Sequence, residues 1–200
     1  MAAETEIKIR LQADSQVTAL LARCSKLYGN GIETFQRDEY FDTRDELLKD
    51  KDFTVRLRLV NGKAKIALKG PRKFFADKVH SRLELEFSAL SEIEAREEVK
   101  RQQLIPTTIV EKRRWEFVRD DLHIAIDRLP FIGSFLEVEA PSHERIRKIL
   151  TVLQVDPHNA VTDNYTELLE QRLRVLGLPI RPNLNATFKK EEELNEMDDS

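Results

Sequence analysis

The sequence has little of what builds disulfide-linked, zinc-bound or membrane-embedded scaffolds. Cys24 is its only cysteine, so a disulfide within the chain is impossible and the cysteine–histidine clusters of zinc sites are missing. No apolar run approaches the roughly 18 residues of a membrane span. The formal net charge is only -3, which argues against nucleic acid as a partner, because such binders usually carry a strong basic excess.

The first ten residues, MAAETEIKIR, lack the apolar core of a secretory signal. We therefore expect a cytoplasmic location and no membrane partner. Charged residues make up 34% of the chain and apolar residues 40%, a balance typical of a soluble globular protein. We predict one domain over residues 1–178, followed by a polar, flexible tail over residues 179–200.

Strand-like alternation of charged and apolar residues dominates the predicted domain. Asn61-Gly62 separates two such segments and is the strongest hairpin signal in the chain. Mostly hairpin order of the strands indicates an α+β fold with an antiparallel sheet. The predicted strands cover residues 4–11, 32–42, 53–60, 63–69, 81–88, 109–119, 122–129 and 133–140. The predicted helices cover residues 14–28, 91–103, 142–153 and 163–176, with a helical turn within 43–51.

The charged residues of these strands are sorted by face and by strand. Residues two apart share one face of a strand, so most strands carry a charged face opposite an apolar one. Acidic pairs and basic pairs occupy different strands. The acidic residues on the charged faces are Glu4, Glu6, Glu84, Glu86, Asp127, Glu137 and Glu139. The basic residues are Lys8, Arg56, Arg58, Lys65, Lys69, Lys112 and Arg114.

Two interpretations fit this pattern. In the ordinary one, the charged faces form the wetted side of an antiparallel sheet that packs on helices. In the other, the sheet curls into a barrel and the charges line one lumen, where clustered carboxylates raise one another's pKa unless a cation intervenes. Mg²⁺ or Mn²⁺ prefers such oxygen ligands, and arginine forks suit phosphate oxygens. The sorting by strand favours the lumen, while closure itself does not follow from the pattern.

Seven short motifs, in order along about residues 4–170, resemble those of the CYTH domain, also called the triphosphate tunnel metalloenzyme family. Glu4-Thr5-Glu6-Ile7-Lys8 is similar to the ExExK signature that opens this domain. The other matching segments are VRLR at 55–58, ALKGP at 67–71, RLELE at 82–86, EKRR at 111–114, Asp127 with GSFLEVE at 133–139, and YTELL at 165–169. Asp163-Asn164 stands where the family often has Arg-Ser.

The resemblance implies an eight-stranded antiparallel barrel tunnel with a charged lumen and helices outside. It implies Mg²⁺ or Mn²⁺ as cofactor, a triphosphate-bearing small molecule as partner, and a precedent for homodimers. Lys8 and Asp127 are the residues expected closest to the chemistry. By motif matching, the metal ligands or their supports would be Glu4, Glu6, Glu84, Glu86, Asp127, Glu137 and Glu139. The triphosphate would be bound by Lys8, Arg56, Arg58, Lys65, Lys69, Lys112 and Arg114.

Members of the resembled family differ in their nucleophile. In triphosphatases, water attacks and orthophosphate leaves tripolyphosphate, a nucleotide or thiamine triphosphate. In class IV adenylate cyclases, the ribose 3′-hydroxyl of ATP attacks the α-phosphorus and pyrophosphate leaves. A third alternative is a non-catalytic module that binds polyphosphate or triphosphorylated RNA ends. Because the chain keeps every carboxylate of the motifs, we favour an enzyme over a binding module. No residue decides between hydrolysis and cyclisation, and we favour hydrolysis.

Several other residues have simpler expected roles. The four histidines, His80, His123, His143 and His158, are scattered, and we expect them in surface or loop positions. Cys24 and Trp115 lie on apolar faces and are expected in the core. Phe74 and Phe75 follow the KGP bend, where packing is the simpler prediction and contact with a substrate base the alternative.

Overall fold

The computed structural model describes residues 2–198, with the side chains of residues 2–4, 76, 197 and 198 outside the description. Its strands are β1 (Ala2–Leu11), β2 (Ile32–Asp42), β3 (Thr54–Val60), β4 (Lys63–Lys69), β5 (Lys73–Phe74), β6 (His80–Ala89), β7 (Ile105–Arg119), β8 (Leu122–Leu129), β9 (Gly133–Glu139), β10 (Ala160–Val161) and β11 (Leu184–Ala186). Its α-helices are α1 (Asp14–Tyr28), α2 (Leu47–Asp50), α3 (Glu92–Arg101), α4 (His143–Leu153), α5 (Tyr165–Val175) and α6 (Phe188–Asp198). Short 3-10 turns cover Ala76–Lys78 and Pro157–Asn159.

Eight strands close into an antiparallel barrel in the order β1-β9-β8-β7-β2-β3-β4-β6, and β6 pairs back onto β1. The closing pairs run from Ala2 opposite Glu84 to Glu6 opposite His80. The three short strands lie at the margins, β10 on β1, β5 on β6, and β11 parallel to β7. The predicted eight-stranded antiparallel barrel with helices outside is confirmed.

Local sequence explains the hairpin between β3 and β4. Asn61 and Gly62 have φ angles of 49° and 73°, and a tight turn with two positive φ angles matches the right-handed twist of the paired strands. Lys63 then pairs with Val60, and the register continues to Thr54 opposite Lys69. This turn fixes which faces of the two strands point inward, because a one-residue slip would reverse every side chain.

The apolar faces of the barrel strands point outward against the helices. Leu20 and Cys24 of α1, with Ile146 and Leu150 of α4, pack over β1, β8 and β9. A second cluster joins α5 to β7, β8 and β9, and a third places α3 over β3 and β4. Burying a leucine or isoleucine side chain contributes about 1.5–3 kcal/mol. The apolar core therefore covers much of the outside of the barrel, although Leu83 and Phe87 on β6 remain exposed, and it leaves the charged faces to the lumen.

The segment after residue 178 carries regular structure. β11 extends the sheet beside β7, and its Leu184 and Ala186 are buried among residues of β7 and α5. The ring of Phe188, the first residue of α6, lies 6.2 Å from that of Phe35. Composition alone predicts a flexible tail here, because only a few apolar residues of the segment pack against the rest of the protein. The structure instead gives the segment a strand and a helix. The domain division at residue 178 stays a prediction.

None of the helices in the described part of the chain is both long and apolar enough to cross a membrane.

Candidate active site

The barrel encloses a cavity of about 310 Å³ that is lined mostly by charged side chains. It brings together twelve of the residues selected from the sequence. These are Glu6, Lys8, Arg56, Arg58, Lys65, Lys69, Glu84, Glu86, Lys112, Arg114, Glu137 and Glu139. The side chain of Glu4 lies outside the described residues, and Asp127 does not line the cavity. The lumen interpretation of the charged faces thus agrees with the structure.

Barrel closure separates the charges into two walls. The acidic wall consists of Glu6, Glu84, Glu86, Glu137 and Glu139, on the consecutive strands β6, β1 and β9. The basic wall consists of Arg56, Arg58, Lys65, Lys69, Lys112 and Arg114, on β4, β3 and β7, with β2 between the last two. Lys8 and Arg82 are cations on the acidic strands. The cavity therefore offers hard oxygen ligands on one side and phosphate-binding cations on the other.

Each described carboxylate of the acidic wall lies close to a base of the protein. Glu6 Oε1 lies 2.8 Å from His80 Nε2 and 3.5 Å from Arg82 Nη2. Glu137 lies 3.8 Å from the Lys8 ammonium and also contacts the Arg114 guanidinium. Burial raises the pKa of Glu6, but the His80 hydrogen bond and the Arg82 charge outweigh it and hold that pKa well below its usual range.

The remaining carboxylates of the acidic wall are paired where the two walls meet. Lys69 Nζ lies 2.5 Å from Glu84 Oε2, and Lys65 Nζ lies 2.6 Å from Glu86 Oε1. These pairs follow from the β4–β6 register, in which Lys69 stands directly opposite Glu84. Cross-strand neighbours on one face are close enough to interact. Glu139, the last carboxylate of this wall, lies 3.6 Å from His123 Nδ1, so every described carboxylate of the acidic wall has a base of the protein nearby.

Asp127 lies behind the basic wall and is fully buried. Arg114 Nε donates to Asp127 Oδ1 at 2.6 Å, and Tyr165 Oη donates to Oδ2 at 2.9 Å. Lys112 Nζ lies 3.5 Å from the same Oδ2. Burial raises the pKa of this carboxyl group, but the Arg114 and Lys112 charges outweigh it and depress the pKa. The sequence prediction made Asp127 a metal ligand or a support for one, and this stays a prediction; in the structure its carboxylate holds Arg114 and does not line the cavity.

Asp38 has the same role for a second arginine, and the sequence argument missed it. Arg58 Nε and Nη2 each donate to Asp38 at 2.7 Å. The Asp38 side chain is buried, and burial, which raises its pKa, is outweighed by the charges of Arg58 and Arg56. The signal available in the sequence was the alternation of Gln36, Asp38 and Tyr40 along β2. The inward face of this strand carries no paired charges, so it was not selected with the charged faces.

Arg56 differs from the other cations of the basic wall. Among the described residues, no carboxylate lies within 4.0 Å of its guanidinium, and its buried Nε has no hydrogen-bond partner. A buried donor without a partner costs roughly 1–3 kcal/mol. Arg56 thus lines the cavity with a guanidinium that has no carboxylate partner among the described side chains.

Lys112 is the second unusual cation of the basic wall. Burial, followed by the charges of Arg114 and Arg58, lowers the pKa of Lys112 to about 7. Lys8, across the cavity, also has a lowered pKa, caused mainly by burial and partly offset by Glu137. An incoming polyanion would favour the protonated form of both lysines.

Two histidines have a closer relation to the cavity than the sequence suggested. His80 is buried beside Glu6, and His123 lines the cavity between Glu116 and Glu139. Hydrogen bonds to Glu116 and Glu139 raise the pKa of His123 to about 9. The expectation of surface or loop positions was wrong for these two residues, because both lie within strands whose inward faces are charged.

Three other expectations concern residues near the cavity. Phe74 and Phe75 are half-exposed and do not line the cavity, and Trp115 packs against the core as predicted. Asn164, at the position where the resembled family often has serine, accepts a hydrogen bond from the Glu167 backbone and begins α5 with a capping box. The cap sets the start of α5, whose first residue, Tyr165, reaches Asp127.

The acidic wall has the donor chemistry for a hard divalent cation. Glu6 stands opposite Glu139 in the β1–β9 register, and Glu137 lies diagonal to Glu6 on the same face; opposed residues lie about 5 Å apart at Cβ and diagonal ones about 7–8 Å. Burial raises the pKa of Glu137, but the charge of Arg114 outweighs it and the pKa is lowered overall; the charges of Asp127 and Glu6 oppose this lowering, a repulsion that a cation would relieve. Among the described side chains, which exclude that of Glu4, no three such groups already converge as a metal site.

Comparison with known proteins places this geometry in context. The family model described as CYTH domain matches residues 2–151. A protein of Methanocaldococcus jannaschii named "putative adenylate cyclase" is 25% identical over 175 residues, which cover 82% of this chain and 97% of that protein.

Solved structures share the fold. A structure from Vibrio parahaemolyticus, also described as a "putative adenylate cyclase", superposes with a TM-score of 0.70 at 18% identity. The match covers 83% of this chain and 97% of that one. A Hippeastrum protein has a TM-score of 0.63 at 16% identity, over 90% of this chain and 99% of that one. Its structure is described as an adenylyl cyclase that reveals a dominant triphosphatase activity.

Proposed function

Because this chain belongs to the CYTH domain family, we propose that it is a divalent-metal-dependent hydrolase of triphosphate-bearing substrates. Its substrate class comprises inorganic tripolyphosphate and nucleoside or thiamine triphosphates. The observation that supports this most strongly is the division of one enclosed cavity into an acidic and a basic wall. A metal–triphosphate complex has the complementary division, with cationic and anionic parts side by side.

On the basic wall, Arg56 and the two anchored arginines are proposed to bind the phosphate oxygens. Asp38 and Asp127 hold the Arg58 and Arg114 guanidinium planes from behind, so little reorganisation is needed when charge develops on the substrate. Phosphoryl transfer spreads charge over the equatorial oxygens, and catalysis rests mainly on positioning and charge stabilisation. The preformed basic wall suits that task.

On the acidic wall, Glu6, Glu137 and Glu139 are proposed to hold Mg²⁺ or Mn²⁺, and Glu4 is proposed as a further ligand from the sequence motif alone. Bound there, the ion would supply positive charge against the phosphate oxygens and a more acidic water. The residues themselves must first release their bases, because Glu6 is bonded to His80 and Glu137 contacts Lys8. The released Lys8 can then turn to the phosphates.

The second candidate is a cyclase that converts ATP to cyclic AMP and pyrophosphate. Two observations favour it: the names of the archaeal and Vibrio proteins, and the partly exposed Phe53 at the cavity edge, which could contact a base. Hydrolysis remains our first choice, because the Hippeastrum description joins a cyclase name to a dominant triphosphatase activity. Cyclisation also requires an ordered base and ribose, whereas the cavity lining is mostly charged.

Product analysis by ³¹P NMR separates these functions. The protein would be incubated with tripolyphosphate, ATP or thiamine triphosphate, each with Mg²⁺, with Mn²⁺ and with a chelator. We expect metal-dependent release of orthophosphate. Cyclic AMP with pyrophosphate would establish the cyclase instead. Tight binding of tripolyphosphate without turnover under any of these conditions would contradict an enzymatic function and indicate a binding module.

A further inference from the structure

One cavity-lining cation comes from a part of the chain that the family model does not reach. The match ends at residue 151, whereas Arg181 lines the cavity and its side chain is only 9% exposed. A charged side chain is rarely buried to this extent unless its partners are close. Contacts inside the tunnel must therefore account for the burial of the Arg181 side chain.

The segment that carries Arg181 is fixed on both sides of it. Downstream, β11 pairs with β7, and the Phe188 backbone N–H donates to Glu111 Oε2 at 3.1 Å. Glu191 of α6 accepts a hydrogen bond of 2.6 Å from the Phe131 backbone. Upstream, the Leu178 N–H donates to the Leu173 carbonyl at the end of α5. Backbone contacts before and after Arg181 thus hold this residue at the cavity.

Arg181 belongs to a chain of alternating charges. Its Nη2 donates to Asp42 Oδ2 at 3.0 Å, and its Nε donates to Glu46 Oε1 at 3.2 Å. The other oxygen of Glu46 lies 3.6 Å from Lys49 Nζ, which also lies 3.4 Å from Glu170 of α5. Arg181 and Lys49 therefore share one carboxylate, and both line the cavity.

Asp42 connects this chain to the backbone of the turn before β3. Its side chain is buried and accepts hydrogen bonds from the backbone N–H groups of Thr43, Leu48 and Lys49 at 2.7, 2.9 and 3.1 Å. The Arg181 guanidinium offsets the charge of this buried carboxylate. Without that guanidinium, the negative charge of Asp42 would lack its nearby positive partner. Glu46 would also lose its contact with Arg181, and the position of the Lys49 side chain that it contacts would change.

We propose that Arg181 is a positioning residue that holds Lys49 at the α2 end of the tunnel and thereby sets the affinity for the triphosphate. This inference rests on the proposed function and extends it to the C-terminal segment. Lys49 supplies the cation that meets the substrate at this end. Arg181 acts through the shared Glu46 and through the Asp42-capped turn, so its effect must pass through Lys49.

The test compares Arg181→Gln, Lys49→Gln and the double variant with Lys189→Gln as control. Lys189 belongs to the same segment, but its side chain is 84% exposed. KM and kcat for tripolyphosphate with Mg²⁺ are measured, together with Kd from calorimetric titration. We expect each single variant to raise KM and Kd by about fivefold to tenfold with kcat nearly unchanged. The double variant should be no weaker than the worse single variant, because residues of one network act non-additively.

The outcomes separate the two proposals. Unchanged binding by Arg181→Gln, or effects of the two substitutions that multiply independently, would overturn the role of Arg181. Absence of turnover in the wild-type protein would contradict the proposed function, while the Kd values would still decide about Arg181; absence of binding would end both proposals. If Arg181→Gln does not fold, Arg181→Lys serves instead, since lysine keeps a charge beside Asp42 but lacks the fork for Glu46.

Discussion

The two walls of the cavity are balanced in opposite ways. The basic wall is held from behind, since Asp38 and Asp127 grip Arg58 and Arg114 without lining the cavity. On the acidic wall, Arg82 and Lys8 contact the carboxylates from within the lumen, and His80 is hydrogen-bonded to Glu6 without lining the cavity. The proposed phosphate site therefore needs little rearrangement, whereas the proposed metal site requires these bases to move off the carboxylates.

Asp127→Asn should have the largest effect on the basic wall, because it leaves Arg114 and Lys112 as uncompensated buried charges. We expect the free energy of unfolding to fall by about 3–5 kcal/mol, measured by urea denaturation at neutral pH. Asp121→Asn, in the exposed turn before β8, is the control. A loss below about 1 kcal/mol would mean that Asp127 is not what fixes the basic wall.

On the acidic wall, Glu6→Gln should lower kcat for tripolyphosphate by at least about 100-fold while the protein stays folded. The amide can still accept the His80 hydrogen bond, but it is a poor ligand for Mg²⁺ or Mn²⁺. Activity is measured over a metal titration, with Glu33→Gln on the exposed face of β2 as control. Wild-type activity in Glu6→Gln at saturating metal would show that the metal lies elsewhere.

Arg56→Ala sharpens the contrast between a paired and an unpaired cation. Because Arg56 has no carboxylate partner among the described residues, its loss should leave stability nearly unchanged. The kcat/KM for tripolyphosphate should fall by about 10-fold to 100-fold. Arg113→Ala, whose guanidinium lies outside the barrel over Phe188, should have little effect. Equal effects of the two substitutions would argue against a phosphate role for Arg56.

The smallest expected effect is an uptake of protons when the triphosphate binds. Because the pKa of Lys112 is lowered to about 7, this lysine is charged below pH 7 and increasingly neutral above it. A bound triphosphate favours the charged form and raises the pKa, so binding near pH 8 should take up close to one proton, and affinity should weaken as pH rises. Calorimetry in two buffers of different ionisation enthalpy measures this uptake. It should vanish in Lys112→Met, and its persistence there would assign the proton to another group.

Sequence reasoning predicted the strands well, because alternation and the Asn61-Gly62 turn are local signals. It also placed the inward charges correctly, as the lining by Lys8 and Glu137 shows. The division into walls did not follow from the sequence pattern. It depends on the pairing of β1 with β6 and β9, contacts between segments far apart in the chain that no local pattern specifies.

The other differences between expectation and structure have a common cause. Alternation assigns a side chain to one face of a strand, but it does not show which side chains surround it there. Alternation put Asp127 on the charged face but did not show that Arg114 would cover it. His80 and His123 were judged by their scatter along the chain rather than by the strands that carry them. Arg181 stood in a polar segment, and only the docking of Leu184 beside β7 makes its position in the cavity intelligible.

The central claim is that a triphosphate and its metal occupy opposite walls of one cavity. Crystals of the protein soaked with Mn²⁺ and a non-hydrolysable triphosphate analogue would test it by anomalous diffraction. We predict a manganese peak on the acidic wall beside Glu6 and Glu137, with phosphate oxygens at Arg56 and Arg114. Manganese bound away from these carboxylates, or phosphates outside the lumen, would contradict the account.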